Sequence, residues 1–185
     1  STVSLFNNIL TKLDIQVSFV ALRDLREWRE AVRPNTKLFF CETPSNPLCE
    51  VGDIRQIAGI AHSADALLAV DNCFCTPALQ RPLDLGADVV RHSATKYLDG
   101  QGRVLGGALV GSSDLMTQVR AFVRVCGPSM SHHTNYYRRG ILSVSPSILS
   151  ADGCPFRWPR RETAFLHFPA GTRSPPQPCR SRRSV

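Results

Sequence analysis

The chain has 185 residues, of which 43% are hydrophobic and 20% charged, and its formal net charge is +7. This composition is typical of a globular protein with one core, and no run approaches the roughly 18 consecutive apolar residues of a membrane-spanning helix, so we expect a cytoplasmic protein with no membrane partner. Residues 1–137 contain thirteen basic and thirteen acidic side chains, so the whole charge excess lies in residues 138–185.

Helix-like and strand-like segments alternate along residues 4–126. Apolar residues at helical spacing predict helices over 4–13, 24–32, 53–63 and 113–126. Asp24, Asp53 and Ser113 open the last three, where short polar side chains favour a helix N-terminus.

Strand-like runs separate these helices. They cover residues 15–21, 37–42, 66–71, 88–93 and 104–111. Residues 38–40 and 67–70 are continuously apolar, which is typical of strands covered on both faces. The alternation predicts an α/β fold, with a mostly parallel sheet and helical crossovers.

Polar residues follow three consecutive predicted strands. They occupy positions 42–47, then 71–72, and then 92–96. Because ligands collect at the carboxyl ends of parallel strands, we expect these three segments to meet at one site.

Five residues in these segments could carry chemistry. Lys96 could form an imine with an aldehyde, a role that requires a reachable and partly unprotonated amine. Ser93 and Thr95 lie three residues and one residue before it and could hold a phosphate. Asp71 could pair with a pyridinium nitrogen and keep that ring an electron sink, and Asn46 could donate to the ring's phenolic oxygen.

Each residue also has an ordinary structural interpretation. A lysine after a strand is most often a solvated loop charge, an aspartate there often caps a helix, and an asparagine between prolines often forms a turn. The joint arrangement at successive strand ends, rather than any single residue, favours a site.

Seven cysteines, an odd number, indicate free thiols in a reducing compartment. Cys73 and Cys75 are the closest pair, but no second pair or nearby histidine accompanies them. We therefore predict buried thiols and no metal site.

Three segments resemble successive signature blocks of the Cys/Met metabolism (transsulfuration) enzymes, which depend on pyridoxal 5'-phosphate (PLP). They are FCETPSNP at 40–47, VDN at 70–72 and HSATKY at 92–97. The resemblance runs from residue 1 to about residue 130 and implies part of the large domain of an aspartate-aminotransferase-like, fold type I transferase.

The resemblance implies a role for each candidate. Lys96 would be the Schiff-base lysine, which also carries protons between the substrate's α-carbon and the adjacent carbon. Asp71 would bind the pyridine nitrogen of PLP, Ser93 and Thr95 the phosphate, and Asn46 the ring oxygen O3.

Within the family, residues 71–77 and 99–103 are most similar to O-succinylhomoserine sulfhydrylases. Relatives that form or cleave cystathionine usually have histidine where Gln101 stands. The implied reaction is γ-replacement, in which sulfide displaces succinate from an activated homoserine and gives homocysteine. Two alternatives stay open: cystathionine γ-synthase or γ-lyase activity, and a catalytically incompetent fragment of such an enzyme.

The resemblance also bears on partners and boundaries. It implies small-molecule substrates and a homotetramer with sites shared between subunits, and leaves open whether this chain assembles. We expect residues 1–131 to be a partial PLP-binding domain that lacks upstream sequence. Residues 132–185 are rich in arginine and proline with poor periodicity, which favours a disordered or frame-shifted tail. Because this tail lacks interleaved aromatic residues and a folded basic face, we expect no nucleic-acid partner.

Overall fold

The computed structural model describes residues 2–98, 100–102 and 105–127, so the predicted tail lies outside the described residues. The chain divides into two units, of which the first includes residues 2–17 and the second includes the described residues from 18 onward. No helix in the described ranges is long and apolar enough to cross a bilayer.

The first unit contains the predicted helix over 4–13 as two pieces. Helix α1 covers Thr2–Asn8, and a 3₁₀ helix covers Leu10–Leu13. Asp14 ends the second piece in the left-handed conformation, with φ 58°, and its backbone N–H bonds back to the 3₁₀ turn.

The predicted strand over 15–21 is wrong, because the structure has no strand there. At the end of this segment and directly after it, two backbone groups bond to side chains of the following helix rather than to a neighbouring strand. The Ala21 N–H donates to the Glu27 carboxylate, and the Leu22 carbonyl accepts from the Trp28 indole. Val20 and Leu22 still pack against the core, which explains the apolar alternation that suggested a strand.

A four-stranded sheet forms the centre of the second unit, in the order β1-β2-β3-β4. Strands β1, β2 and β3 are parallel to one another, and β4 is antiparallel to β3. The strands are Leu38–Glu42, Leu67–Asp71, Val89–Ser93 and Gly107–Gly111. The predicted mostly parallel α/β sheet is confirmed, although the last strand begins three residues later than expected.

Helices connect and cover these strands. In the second unit they are α2 (Leu25–Glu30), α3 (Ile54–Ser63), α4 (Thr76–Leu79), the 3₁₀ helix Pro82–Leu85 and α5 (Ser113–Cys126). The side chains of Asp24 and Asp53 accept from backbone N–H groups of α2 and α3, as predicted, and each such cap contributes about 1 kcal/mol. The N-cap of α5 is Ser112 rather than Ser113. The helices at 76–79 and 82–85 were not predicted, because four residues are too few to show a helical period.

The core lies between α3 and the sheet. Ile57 of α3 and Leu68 and Val70 of β2 are completely buried. Trp28 stacks on Phe39 of β1, with ring centroids 5.6 Å apart, so α2 is fixed to the same core. This packing holds the ends of β1, β2 and β3 in register.

Candidate functional site

The carboxyl ends of the three parallel strands lie side by side. Glu42, the last residue of β1, is paired in register with Asp71, the last residue of β2. Asp71 is paired in turn with Arg91 of β3, and the Asn72 N–H donates to the Arg91 carbonyl. The predicted meeting of these strand ends at one edge is confirmed.

Asp71 is a buried carboxylate, with 2% of its side chain exposed. Its Oδ1 accepts a hydrogen bond of 3.2 Å from the Cys73 N–H. Its Oδ2 forms an ion pair with Nη1 of Arg91. An unpaired charge in this position would be costly, so the Arg91 guanidinium offsets the desolvation of the carboxylate.

Lys96 lies on the exposed loop that follows β3. Its Nζ is 4.6 Å from the centroid of the Phe74 ring, which stands on the loop after β2. A cation over an aromatic face at an exposed position contributes about 0.5–1 kcal/mol. The contact places the Lys96 amine at the loop that follows Asp71. Lys96 and Asp71 therefore lie at the same edge of the sheet.

Three other charged side chains lie near the Glu42 carboxyl. Burial raises the pKa of the Glu42 carboxyl, and the neighbouring Asp71 raises that pKa further. Lys96 and Arg91 act in the opposite direction. Two carboxylates and two cations therefore lie within electrostatic reach of one another at this edge.

The hydroxyl residues flank the lysine. Ser93 ends β3, and its backbone N–H donates to Sγ of Cys73 over 3.0 Å. The Thr95 hydroxyl accepts a bond of 3.2 Å from the N–H of Gly106, in the loop before β4. Both residues are partly buried beside Lys96, and the Thr95 hydroxyl already has a partner within the chain.

Asn46 occupies the exposed loop after β1. Its backbone N–H acts to lower the pKa of the Glu42 carboxyl, against the effect of burial, so Asn46 lies near the charged groups at this edge. The same loop is held at its base, where the Thr43 hydroxyl accepts from the Gly52 N–H over 3.0 Å.

A pair of side-chain amides fixes the loops after β1 and β2, and no local sequence pattern predicts it. Nε2 of Gln80 donates to the Thr43 carbonyl over 2.8 Å and to Oδ1 of Asn72 over 2.9 Å. Nδ2 of Asn72 donates in return to the carbonyls of Thr76 and Gln80. The loop that contains Phe74 is thereby held against the loop that follows β1.

Arg91 and Cys73 are further site residues that sequence reasoning missed. The signal for Arg91 was a charged residue inside the apolar strand VVRHS, at 89–93.

His92, the next residue of β3, is buried, and burial lowers its pKa. Its Nδ1 has no hydrogen-bond partner among the described residues, so the neutral ring is favoured.

The described residues contain no group of three or more His, Cys, Asp or Glu placed to hold a metal ion. The described residues at this edge of the sheet present an amine, carboxylates, hydroxyls and a guanidinium.

Solved structures of similar fold place the chain in a class of proteins. It is similar to the crystal structure of metB from Corynebacterium glutamicum, with a TM-score of 0.73 and 34% identity over 79% of this chain and 38% of that one. It is also similar to cystathionine gamma-lyase from Lactobacillus plantarum complexed with L-serine, with a TM-score of 0.72 and 33% identity over 79% of this chain and 39% of that one. The mostly parallel sheet, with an amine and a buried carboxylate at its carboxyl edge, belongs to the PLP-dependent proteins of fold type I.

Sequence comparison identifies the family. Residues 1–145 match the Cys/Met metabolism PLP-dependent enzymes, and the chain belongs to this family. It is 59% identical to O-succinylhomoserine sulfhydrylase of Pseudomonas aeruginosa over 131 residues, which are 71% of this chain and 32% of the relative. It is 44% identical to cystathionine gamma-lyase of Bacillus subtilis over 135 residues, which are 70% of this chain and 36% of the relative. The chain thus spans about a third of the length of these curated relatives.

PLP is the cofactor of this family, and the donor set at the sheet edge suits it in chemistry. The molecule has an aldehyde, a pyridine nitrogen, a phenolic oxygen and a phosphate. The edge offers the Lys96 amine, the buried Asp71 carboxylate and the two hydroxyls of Ser93 and Thr95. The group that would meet the pyridine nitrogen, Asp71, is paired with Arg91.

Proposed function

We propose that these residues form part of the PLP site of a cytoplasmic transsulfuration enzyme. The observation that carries the proposal is the meeting of the Lys96 loop and the buried Asp71 carboxylate at the carboxyl edge of β2 and β3. When bound, PLP supplies an electron sink for chemistry on amino-acid substrates.

Each residue has a role in this proposal. Lys96 would hold the aldehyde carbon, and its Nζ would carry the proton that moves between the substrate's α-carbon and the adjacent carbon. Asp71 holds the protonated pyridine nitrogen. Ser93 and Thr95 donate to the phosphate, and Asn46 donates to O3. The contact of Lys96 Nζ with the Phe74 ring keeps the amine near the loop that follows Asp71.

For the complete protein we propose γ-replacement on O-succinylhomoserine. Sulfide attacks the γ-carbon, a C–S bond forms, the C–O bond to succinate breaks, and homocysteine and succinate are the products. The identity of 59% to the Pseudomonas aeruginosa sulfhydrylase supports this substrate. The 47% identity to L-methionine gamma-lyase of Treponema denticola, together with the Bacillus subtilis relative, keeps a γ-lyase activity as the second candidate. The 44% identity to cystathionine gamma-synthase of Mycobacterium bovis keeps a γ-synthase activity beside it.

We also propose domain bounds and an oligomeric state for the complete protein. We place residues 1–131 in the large PLP-binding domain and residues 132–185 outside it, and we propose that the complete protein is a homotetramer. Because the chain spans about a third of its relatives, a fragment without turnover of its own is the third candidate.

Covalent trapping tests the site. The sequence contains three lysines, at positions 12, 37 and 96. We expect incubation with PLP followed by borohydride reduction to leave a pyridoxyl group on Lys96, located by peptide mass spectrometry. Lys96→Ala should abolish the modification, whereas Lys37→Ala, which removes an exposed amine paired with Asp65, should leave it unchanged. Equal modification of all three lysines would contradict the proposal.

Turnover assays test the reaction. With O-succinylhomoserine, γ-replacement predicts homocysteine that appears only when sulfide is added, measured with succinate as the second product. A γ-lyase would instead release a 2-oxo acid and ammonia from cystathionine or methionine without sulfide. A chain that is modified at Lys96 but turns over none of these substrates would support the fragment.

A further inference from the structure

The Arg91 guanidinium is bound to the Asp71 carboxylate, which the proposed function assigns to the pyridine nitrogen of PLP. The residue lies in the middle of β3, in register with Asp71 of β2. Its Nη1 is paired with Oδ2 of Asp71, while the Cys73 N–H bonds to Oδ1. Both carboxylate oxygens therefore have a partner in the chain.

The guanidinium lies on the solvent side of this carboxylate. The Arg91 side chain is 47% exposed, whereas that of Asp71 is 2% exposed. The same Nη1 lies 3.7 Å from Sγ of Cys73, so the guanidinium contacts both the last residue of β2 and the loop that follows it. A second donor to Oδ2 of Asp71 therefore competes with the Arg91 guanidinium for that oxygen.

We propose that Arg91 competes with the pyridine nitrogen of PLP for Asp71. The inference rests on the proposed function, and it makes Arg91 a positioning residue that acts through Asp71. In this mechanism PLP binding breaks the ion pair and the freed guanidinium is solvated, so the affinity for PLP is lower than the same site would have without the arginine.

An alternative role for Arg91 predicts the opposite effect of its removal on the affinity for PLP. PLP carries an anionic phosphate, and guanidinium groups bind phosphates well. Ser93, a proposed phosphate ligand, is two residues further along the same strand. If Arg91 contacted the phosphate, its removal would weaken PLP binding.

The test compares two probes, PLP and 1-deaza-PLP, in which a carbon replaces the pyridine nitrogen. 1-Deaza-PLP has no N–H donor at this position, so it leaves the Arg91–Asp71 ion pair in place, and competition for Oδ2 affects only PLP. Arg91→Met removes every donor at similar length, and we expect it to tighten PLP binding about threefold to tenfold, the effect of a partly exposed ion pair. Binding of 1-deaza-PLP should change less than about twofold. Affinities are measured by absorbance titration of the 185-residue chain.

Two further variants control for charge and folding. Arg124→Met removes an exposed cation from α5 and should change neither affinity. Arg91→Lys keeps the charge but loses the planar guanidinium, so it should give an intermediate tightening for PLP. It also supplies the comparison if circular dichroism shows that Arg91→Met does not fold.

The outcomes separate this inference from the proposed function. Tighter PLP binding with little change for 1-deaza-PLP supports the competition. Equal effects on the two probes, no effect on either, or weaker binding of both overturns it and leaves the proposed site standing. If neither the unmodified chain nor any Arg91 variant binds PLP, the proposed function fails, and this inference fails with it.

Discussion

The Cys73 thiol is kept protonated mainly by burial, with a further contribution from the neighbouring Asp71 carboxylate. Burial raises the pKa of Cys73 to about 11, and the hydrogen bond and charge of Asp71 act in the same direction. Burial, with a smaller effect of Asp71, raises the pKa of Cys41 to about 12. Cys41 lies in β1 and Cys73 in the loop after β2, yet neither is suited to be a nucleophile, because the thiolate is the reactive form.

Alkylation checks this assignment. At pH about 8 a thiol with a raised pKa stays protonated, so we expect iodoacetamide to modify Cys73 and Cys41 at least about tenfold more slowly than the exposed Cys49. Peptide mass spectrometry over time gives the rates, and unfolding in guanidinium should make the three rates similar. Modification of Cys73 as fast as that of Cys49 in the folded chain would contradict the argument.

Among the elements, α3 and β2 contribute most to the core that positions the site. Ile57, Leu68 and Val70 have no exposed surface, and burying one such side chain contributes about 2 kcal/mol. Asp71 directly follows Val70, so the position of the carboxylate depends on the packing of the strand before it.

Truncation of Ile57 tests this dependence. Ile57→Ala should lower the free energy of unfolding by about 3 kcal/mol, because a fully buried side chain leaves a cavity. Leu48→Ala, at a position that is 73% exposed, should change it by less than about 0.5 kcal/mol. Denaturant unfolding followed by circular dichroism measures both values, and similar losses would show that α3 does not support the sheet as described.

Sequence patterns predicted the elements unevenly, for physical reasons. The continuous apolar runs of β1 and β2 were predicted to within one residue, because such a run is a strong local signal. Burial on both faces is confirmed for β2 but is wrong for β1, where Leu38 is exposed and Phe40 only partly buried. The segment 15–21 was predicted wrongly, because apolar alternation does not show which partner the backbone groups will find. In its second half, that partner was the side chain of Glu27.

At the scale of the whole molecule, the three loops at the carboxyl edge were predictable, but their mutual contacts were not. The rule that ligands collect where parallel strands end predicts that Lys96 and Asp71 lie at one edge of the sheet, and both lie there. The pairing of Arg91 with Asp71 depends on the register between β2 and β3, which the sequence of neither strand reveals. The proposed site residues lie at the ends of three strands, and the register of the sheet brings these ends together.

The reciprocal amide pair of Asn72 and Gln80 makes the arrangement of these loops sensitive to chemical ageing. Hydrolysis of the Gln80 amide to a carboxylate would replace a donor to the Thr43 carbonyl and to Oδ1 of Asn72 with a negative charge facing the same oxygens. Two attractive contacts to the buried residues Thr43 and Asn72 would become repulsive, and an unpaired charge is costly in a partly buried position. Deamidation at this one position would thus push apart the loops after β1 and β2 while leaving every proposed cofactor ligand chemically intact.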